Sequence, residues 1–279
     1  MLTLALFANL AMLANAPAQA EPGRNLSCRE LPGADLSGAD PAFLIMGEAH
    51  GTAELPAAFA DLVCARARRG GPLTVGLEFL PEDQGALDSY LLSDGSEAAK
   101  AQLLASPGWR RLDGRGSQAL LDMTERLRQL RAEGVDLRLI AFDHPSERPG
   151  TSAARERGMA DLLLAARRNR PDAPVLALTG VGHAGKSAWT SFDPPFPAMS
   201  QYLPADHTLA ITFSVGGGEV WACRRAEGST EDQCGPRTIT ARGEIEPRGV
   251  RLDQGRKGFD AILSVGGPFS ASPPAGDGA

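Results

Sequence analysis

Four short apolar runs, separated by helix-length amphipathic segments and each carrying a titratable residue at its end, constrain this chain to an α/β sheet fold. Residues 43–46 lead into Gly47-Glu48-Ala49-His50, and residues 73–79 carry Glu78. Residues 137–142 lead into Asp143-His144, and residues 174–179 into Gly180-Val181-Gly182-His183. Between them, residues 55–69 place Leu55, Phe59, Leu62 and Val63 at helical spacing, residues 118–133 form an amphipathic helix stopped by Gly134, and residues 152–168 form a third. Residues 82–110 read as short helices. Strand–helix alternation predicts parallel strands with helices on both faces. Further on, residues 208–215 and 219–223 read as a hairpin turned by Gly216-Gly217-Gly218, and residues 259–265 as a last strand. The expected class is therefore α/β, with a mostly parallel or mixed central sheet flanked by helices on both faces and a C-terminal hairpin.

Segments outside this pattern bound the domain. Residues 1–20 read as a signal peptide, apolar from Leu2 to Leu13 and ending in the small-x-small form Ala18-Gln19-Ala20. That run is shorter than the roughly 20 residues of a membrane span, so the mature chain is expected to be periplasmic or secreted with no stable span. Residues 21–41, rich in Gly, Pro and Asp, form a leader loop. Residues 42–270 make one domain, and residues 271–279, with Pro273-Pro274, read as a disordered tail. Four cysteines in an exported chain favour disulfides. Cys223 and Cys234 flank a polar hairpin loop and are paired, which leaves Cys28 with Cys64. A net charge of -6 argues against a nucleic-acid partner. A small-molecule or peptide substrate is expected instead.

Ligands of open α/β sheets bind at the carboxyl ends of the strands. By topology alone, Glu48, His50, Glu78, Asp143 and His183 are delivered to that edge. A histidine oriented by a carboxylate takes a proton from water, and a second histidine or carboxylate protonates the leaving group. No Gly-x-Ser-x-Gly elbow is present, so a water nucleophile is favoured over a covalent serine. The set His50, His183, Glu48 and Glu78 also has the donor types of a zinc or manganese site. Each residue has a plainer alternative: Glu48 and His50 as a polar strand end, Asp143 as a turn cap, His207 as a surface loop residue. Arg155 either reaches the site and holds a substrate carboxylate or oxyanion, or is a solvated arginine at a helix start. Residues 192–204, with four prolines, are long enough to form a lid.

The motifs, in order, resemble those of the erythromycin esterase-like and ChaN/Tiki (haem-uptake) superfamily. Gly47-Glu48-Ala49-His50-Gly51-Thr52-Ala53-Glu54 is similar to its opening motif, Leu77-Glu78 to its second-strand glutamate, and Phe142-Asp143 to its third-strand pair. Arg155-Glu156-x-x-Met159-Ala160 and Thr179-Gly180-Val181-Gly182-His183-Ala184 are similar to its later segments, and Phe259-Asp260-Ala261 to its C-terminal strand. The resemblance implies a site of Glu48, His50, Glu78 and His183, with Arg155, Asp143 and Glu54 contacting substrate. In the esterase branch the first histidine acts as base on water, which implies an exported hydrolase of an ester or related bond. The Tiki branch implies a metal-dependent peptidase, and the ChaN branch a haem- or iron-binding uptake protein. Only two tyrosines, Tyr90 and Tyr202, are present to ligate haem.

Overall fold

The computed structural model describes residues 26–36, 40–146, 151–225, 231–253 and 258–276. The expected signal peptide lies outside these residues, as do residues 277–279. The strands are β1 (Phe43–Glu48), β2 (Leu73–Leu77), β3 (Leu137–Ala141), β4 (Val175–Gly180), β5 (Thr208–Phe213), β6 (Gly218–Arg225), β7 (Asp232–Ile239), β8 (Gly249–Leu252) and β9 (Ala261–Ser264). The helices are α1 (Glu54–Arg68), α2 (Gln84–Leu91), α3 (Glu97–Leu104), α4 (Gln118–Ala132), α5 (Ala153–Asn169) and the single turn α6 (Val181–Ala184).

Among the described residues, a seven-stranded sheet runs in the order β3-β2-β4-β1-β5-β9-β8. Its pairs are parallel, apart from the antiparallel edge pair β8–β9. The expected fold class is the observed one. Period-2 alternation divides the buried side chains between two faces. Leu44 and Met46 of β1 and Leu176 and Leu178 of β4 pack with α1, α2 and α4 through residues such as Phe59, Leu87 and Leu127. Phe43, Ile45, Val175 and Ala177 pack on the other face with Met159 and Leu163 of α5. Sheets buried on both faces read as continuous apolar runs, and β1, β2 and β5 are buried along their whole length.

Three expectations are corrected. The hairpin exists, but its strands are β6 and β7, with Cys223 opposite Cys234; β5 instead lies between β1 and β9 in the sheet. The reason is burial: every residue of β5 is covered, so its place is inside the parallel sheet rather than in an exposed ribbon. The tail is ordered through residue 276, because Ala271 bridges to Thr52, Pro274 to Ser117, and Ala275 N–H donates to Gly116 O at 2.8 Å. The third concerns the segment 192–204, which is fastened rather than loose. Trp189 bridges Phe196, Met199 N–H donates to Glu156 Oε2 at 2.7 Å, and Met199 and Leu203 are core residues. Both expected disulfides, Cys28–Cys64 and Cys223–Cys234, are formed. The first ties the leader to α1, where Leu26, Leu31 and Leu36 are buried.

Candidate active site

The parallel register sets Glu48 of β1 opposite Gly180 of β4, so the first and fourth strand ends meet at one point. Beyond β1 the chain turns sharply at Gly51, whose φ of 81° is in the left-handed region. A Cβ there would lie 2.2 Å from Trp221 O, so glycine is required by both conformation and space. This turn presents His50. Its Nδ1 lies 2.8 Å from Glu48 Oε1 and its Nε2 lies 3.5 Å from Glu78 Oε2. Both carboxylates are buried, while the imidazole keeps 18% of its surface exposed.

Glu78 follows β2 and accepts three hydrogen bonds. Its Oε2 accepts from Thr179 Oγ1 at 2.6 Å and from Gly180 N–H at 2.7 Å. Its Oε1 accepts from Arg155 Nη2 at 2.9 Å. A buried carboxylate is costly unless paired, and these partners explain how it is tolerated. Burial alone would raise its pKa, but His50 and the other charges around it hold it well below the usual carboxylate range. The effect on His50 is reciprocal. Burial pulls its pKa down, but Glu78 and Glu48 outweigh that and raise it to about 9.

Arg155 and His183 form the second half of the cluster. Ser152 caps α5 by accepting from Arg155 N–H at 3.2 Å, which fixes the first turn of the helix. From there Arg155 Nε donates to Asp143 Oδ1 at 2.7 Å, and Nη1 donates to His183 Nε2 at 3.0 Å. A guanidinium has only donors, so His183 Nε2 is an acceptor. His183 Nδ1 then donates to Glu156 Oε1 at 2.7 Å. Glu156 is fully buried and accepts also from Thr151 Oγ1 and from Met199 N–H. Trp189 packs edge-on against His183, with ring centroids 5.8 Å apart.

The structure thus brings Glu48, His50, Glu78, Asp143, Arg155 and His183 together. Glu54 is not among them: its carboxylate accepts from Ser270 N–H at 2.9 Å and anchors the C-terminal segment. Two other assignments change. Arg155 is spent on protein partners and is not free to hold substrate. His183, with Nε2 accepting from Arg155, has no proton there to give a leaving group. Glu156, Thr179, Arg111 and Arg115 were missed by the sequence reading. Glu156 and Thr179 sit within the motifs that also hold Arg155 and His183, and that adjacency was their signal; Arg111 and Arg115 left none. Arg111 and Arg115 line a cavity of about 470 Å³ that also borders Asp143, His144 and Arg155.

The donor set does not fit a divalent metal. The Arg155 guanidinium lies between Glu78, Asp143 and His183, where a cation would be repelled. Among the described residues no three His, Cys, Asp or Glu side chains converge on a cation position. Nor does it fit tyrosine-ligated haem, because Tyr90 OH donates to Glu125 at 2.8 Å and Tyr202 lies under Arg157.

No protein-family model and no curated protein matches the chain. Solved structures do. A protein from Bacillus cereus matches with a TM-score of 0.59 and 12% identity over 93% of this chain and 97% of that one. A succinoglycan biosynthesis protein matches with a TM-score of 0.60 and 12% identity over 92% and 96%. A mutant of the erythromycin esterase EreC in its open conformation matches with a TM-score of 0.60 and 14% identity, over 85% of this chain and 92% of that one. At these identities the likeness is one of fold, and at that level the resemblance read from the motifs holds: the chain has the fold of the erythromycin esterase EreC.

Proposed function

We propose that this chain is an exported hydrolase that cleaves an ester or related bond with a water nucleophile, His50 acting as general base. The observation that carries this reading is the imidazole held between Glu48 at 2.8 Å and Glu78 at 3.5 Å, at the carboxyl edge of a parallel sheet. The Nδ1 contact to Glu48 fixes the tautomer, leaving Nε2 to face the reaction space. That space is kept open by Gly180, where a Cβ would lie 3.0 Å from His50 Nε2. A water at Nε2 loses a proton to His50 as its oxygen attacks the carbonyl carbon. The imidazolium so formed is stabilised by Glu48 and Glu78, and it returns the proton to the departing alkoxide oxygen. Arg155, Thr179 and Gly180 N–H hold Glu78 in place. His183 and Glu156 hold Arg155 and are positioning residues.

The two disulfides fit an oxidising, extracytoplasmic compartment. Among the described residues no helix is long and apolar enough to cross a membrane.

The test is turnover of a panel of carboxylic esters by the purified chain and by His50→Gln and Glu78→Gln. General-base catalysis contributes about 10²–10⁴-fold, so losses of that order are expected in His50→Gln with an unchanged circular-dichroism spectrum. A folded His50→Gln protein with full activity would remove the mechanism.

A further inference from the structure

We propose that Arg111 and Arg115 form an anion-binding subsite beside His50, so that the substrate is a molecule carrying a carboxylate or phosphate group that sits on these two guanidinium groups. Its link to catalysis rests on the hydrolase reading above; the subsite itself does not.

The segment 111–116 runs between a short turn at Pro107–Arg110 and α4, and it is packed onto the loop that carries His50. A Cβ at Gly114 would lie 2.5 Å from Gly51 N and 2.7 Å from His50 C. Trp221 Nε1 donates to Leu112 O at 3.0 Å, and Ala275 N–H donates to Gly116 O at 2.8 Å. The two arginines are therefore presented from a fixed backbone.

Their donors are largely unspent. Arg111 Nη1 is 3.6 Å from Asp143 Oδ2, and its Nη2 is 3.5 Å from Asp113 Oδ2. Arg115 Nη1 is 3.7 Å from Glu78 Oε1, and its Nη2 is 3.4 Å from Asp113 Oδ2. All four contacts exceed the roughly 2.7–2.9 Å of a charge-assisted bond. Arg115 Nε is buried without any hydrogen-bond partner. Of the carboxylates nearby, Asp113 is shared at long range between the two arginines, and Glu78 and Asp143 are committed elsewhere. Glu78 is taken by Thr179, Gly180 and Arg155. Asp143 is taken by Arg155 and His144 N–H, while Asp83 accepts from Gly108 N–H through Oδ1 and its buried Oδ2 has no partner.

The Nη groups of the two arginines, with their nearest carboxylate oxygens 3.4–3.7 Å away, can each take a ligand oxygen at closer range. Arginine's planar fork suits carboxylate and phosphate oxygens in particular. The cavity these residues line, about 470 Å³, has the volume of a small-molecule site. Arg115 joins that cavity to Glu78, the partner of His50. A substrate anchored there by its anion reaches the base with a bond a few atoms away.

The experiment is calorimetric titration of the full chain, at low ionic strength, with succinate and separately with inorganic phosphate. It is repeated on Arg111→Gln, Arg115→Gln, Arg115→Lys and His50→Gln, each checked for folding by circular dichroism. Binding of at least one anion is expected, weakened about tenfold or more in Arg111→Gln and Arg115→Gln and less in His50→Gln, which removes a neighbouring charge but no subsite donor. Arg115→Lys should fall between, because it keeps the charge and loses the fork. Succinate alone assigns a carboxylate, phosphate alone a phosphate group, and both the shared anion chemistry. No binding of either anion, or parent-like binding in every folded Arg→Gln variant, overturns the subsite. Arg111 is the more exposed, and its variant carries the test should Arg115→Gln not fold. Anion binding lost in the Gln variants, without hydrolysis of any ester, keeps the subsite and sinks the hydrolase reading instead.

Discussion

At the scale of single residues, the pKa of His50 sets the pH behaviour. With a pKa of about 9, only about one part in a hundred of the imidazole is unprotonated at pH 7. A base must be unprotonated to act, so kcat/KM is expected to rise about tenfold per pH unit above 7 and level off near 9. Glu48→Gln removes one of the two carboxylates that raise the pKa and should move this limb to lower pH. A limb that falls through pH 9, or one unmoved in Glu48→Gln, would assign His50 a different role. Gly180 gives a second test. Its φ of -53° is open to any residue, yet an added methyl would lie 3.0 Å from His50 Nε2 and 3.7 Å from Glu78 Oε2. Gly180→Ala should therefore keep its melting temperature and lose kcat/KM by about tenfold or more; full activity would show that the reaction space lies elsewhere. Glu48, His50, Glu78 and His183 were legible in the sequence because each interrupts or closes an apolar run. Arg111 and Arg115 were not, because their partners in the site lie far along the chain and no local pattern records the contact.

Among elements, α5 matters most to the site, because its first turn supplies both Arg155 and Glu156. Ser152 starts the helix, and Glu156 in the first turn is favoured by the helix dipole. Arg155 joins the ends of β2, β3 and β4 by bonding Glu78, Asp143 and His183. Arg155→Met should then leave two carboxylates buried without their main partner. Removing one member of such a pair costs about 3–5 kcal/mol, to be read from urea unfolding. Arg155→Lys should recover only part, since one ammonium cannot replace the fork. A Met variant as stable as the parent would mean that the charges are hydrated and the tie is dispensable. The parallel strands were legible for the same reason that they are stable: burial on both faces leaves a continuous apolar run. β7 was not, because its sequence, Asp232-Gln233-Cys234-Gly235-Pro236-Arg237-Thr238-Ile239, is half-exposed and polar. With β7 unread, β6 lost its true partner and was paired with β5 by proximity along the chain.

For the molecule as a whole, the two disulfides divide stability from activity. Cys28–Cys64 closes a separation of 36 residues and Cys223–Cys234 one of 11. In the chain-entropy account these are worth about 4 and about 3 kcal/mol. The first joins the leader to α1 at a residue about 15 Å along the helix from its start near His50, at 1.5 Å per residue. The second lies in the β6–β7 ribbon, and that ribbon touches the site. Trp221 N–H donates to Gly51 O at 2.9 Å, and the Trp221 indole and Cys223 both contact Leu112 O, in the segment that carries Arg111 and Arg115. Replacing Cys28 and Cys64 together by Ser should therefore cost the larger share of unfolding free energy, with kcat/KM at 25 °C close to the parent. Replacing Cys223 and Cys234 together should cost less stability and lower kcat/KM, because it loosens the ribbon that braces both the His50 loop and the arginine segment. Paired measurements of urea unfolding and of kcat/KM on the two double variants decide it. Full activity in the ribbon variant would show that the His50 loop holds its geometry without β6, and that the bonds of Ser272 to Gly51 and of Ala275 to Gly116 suffice to brace it.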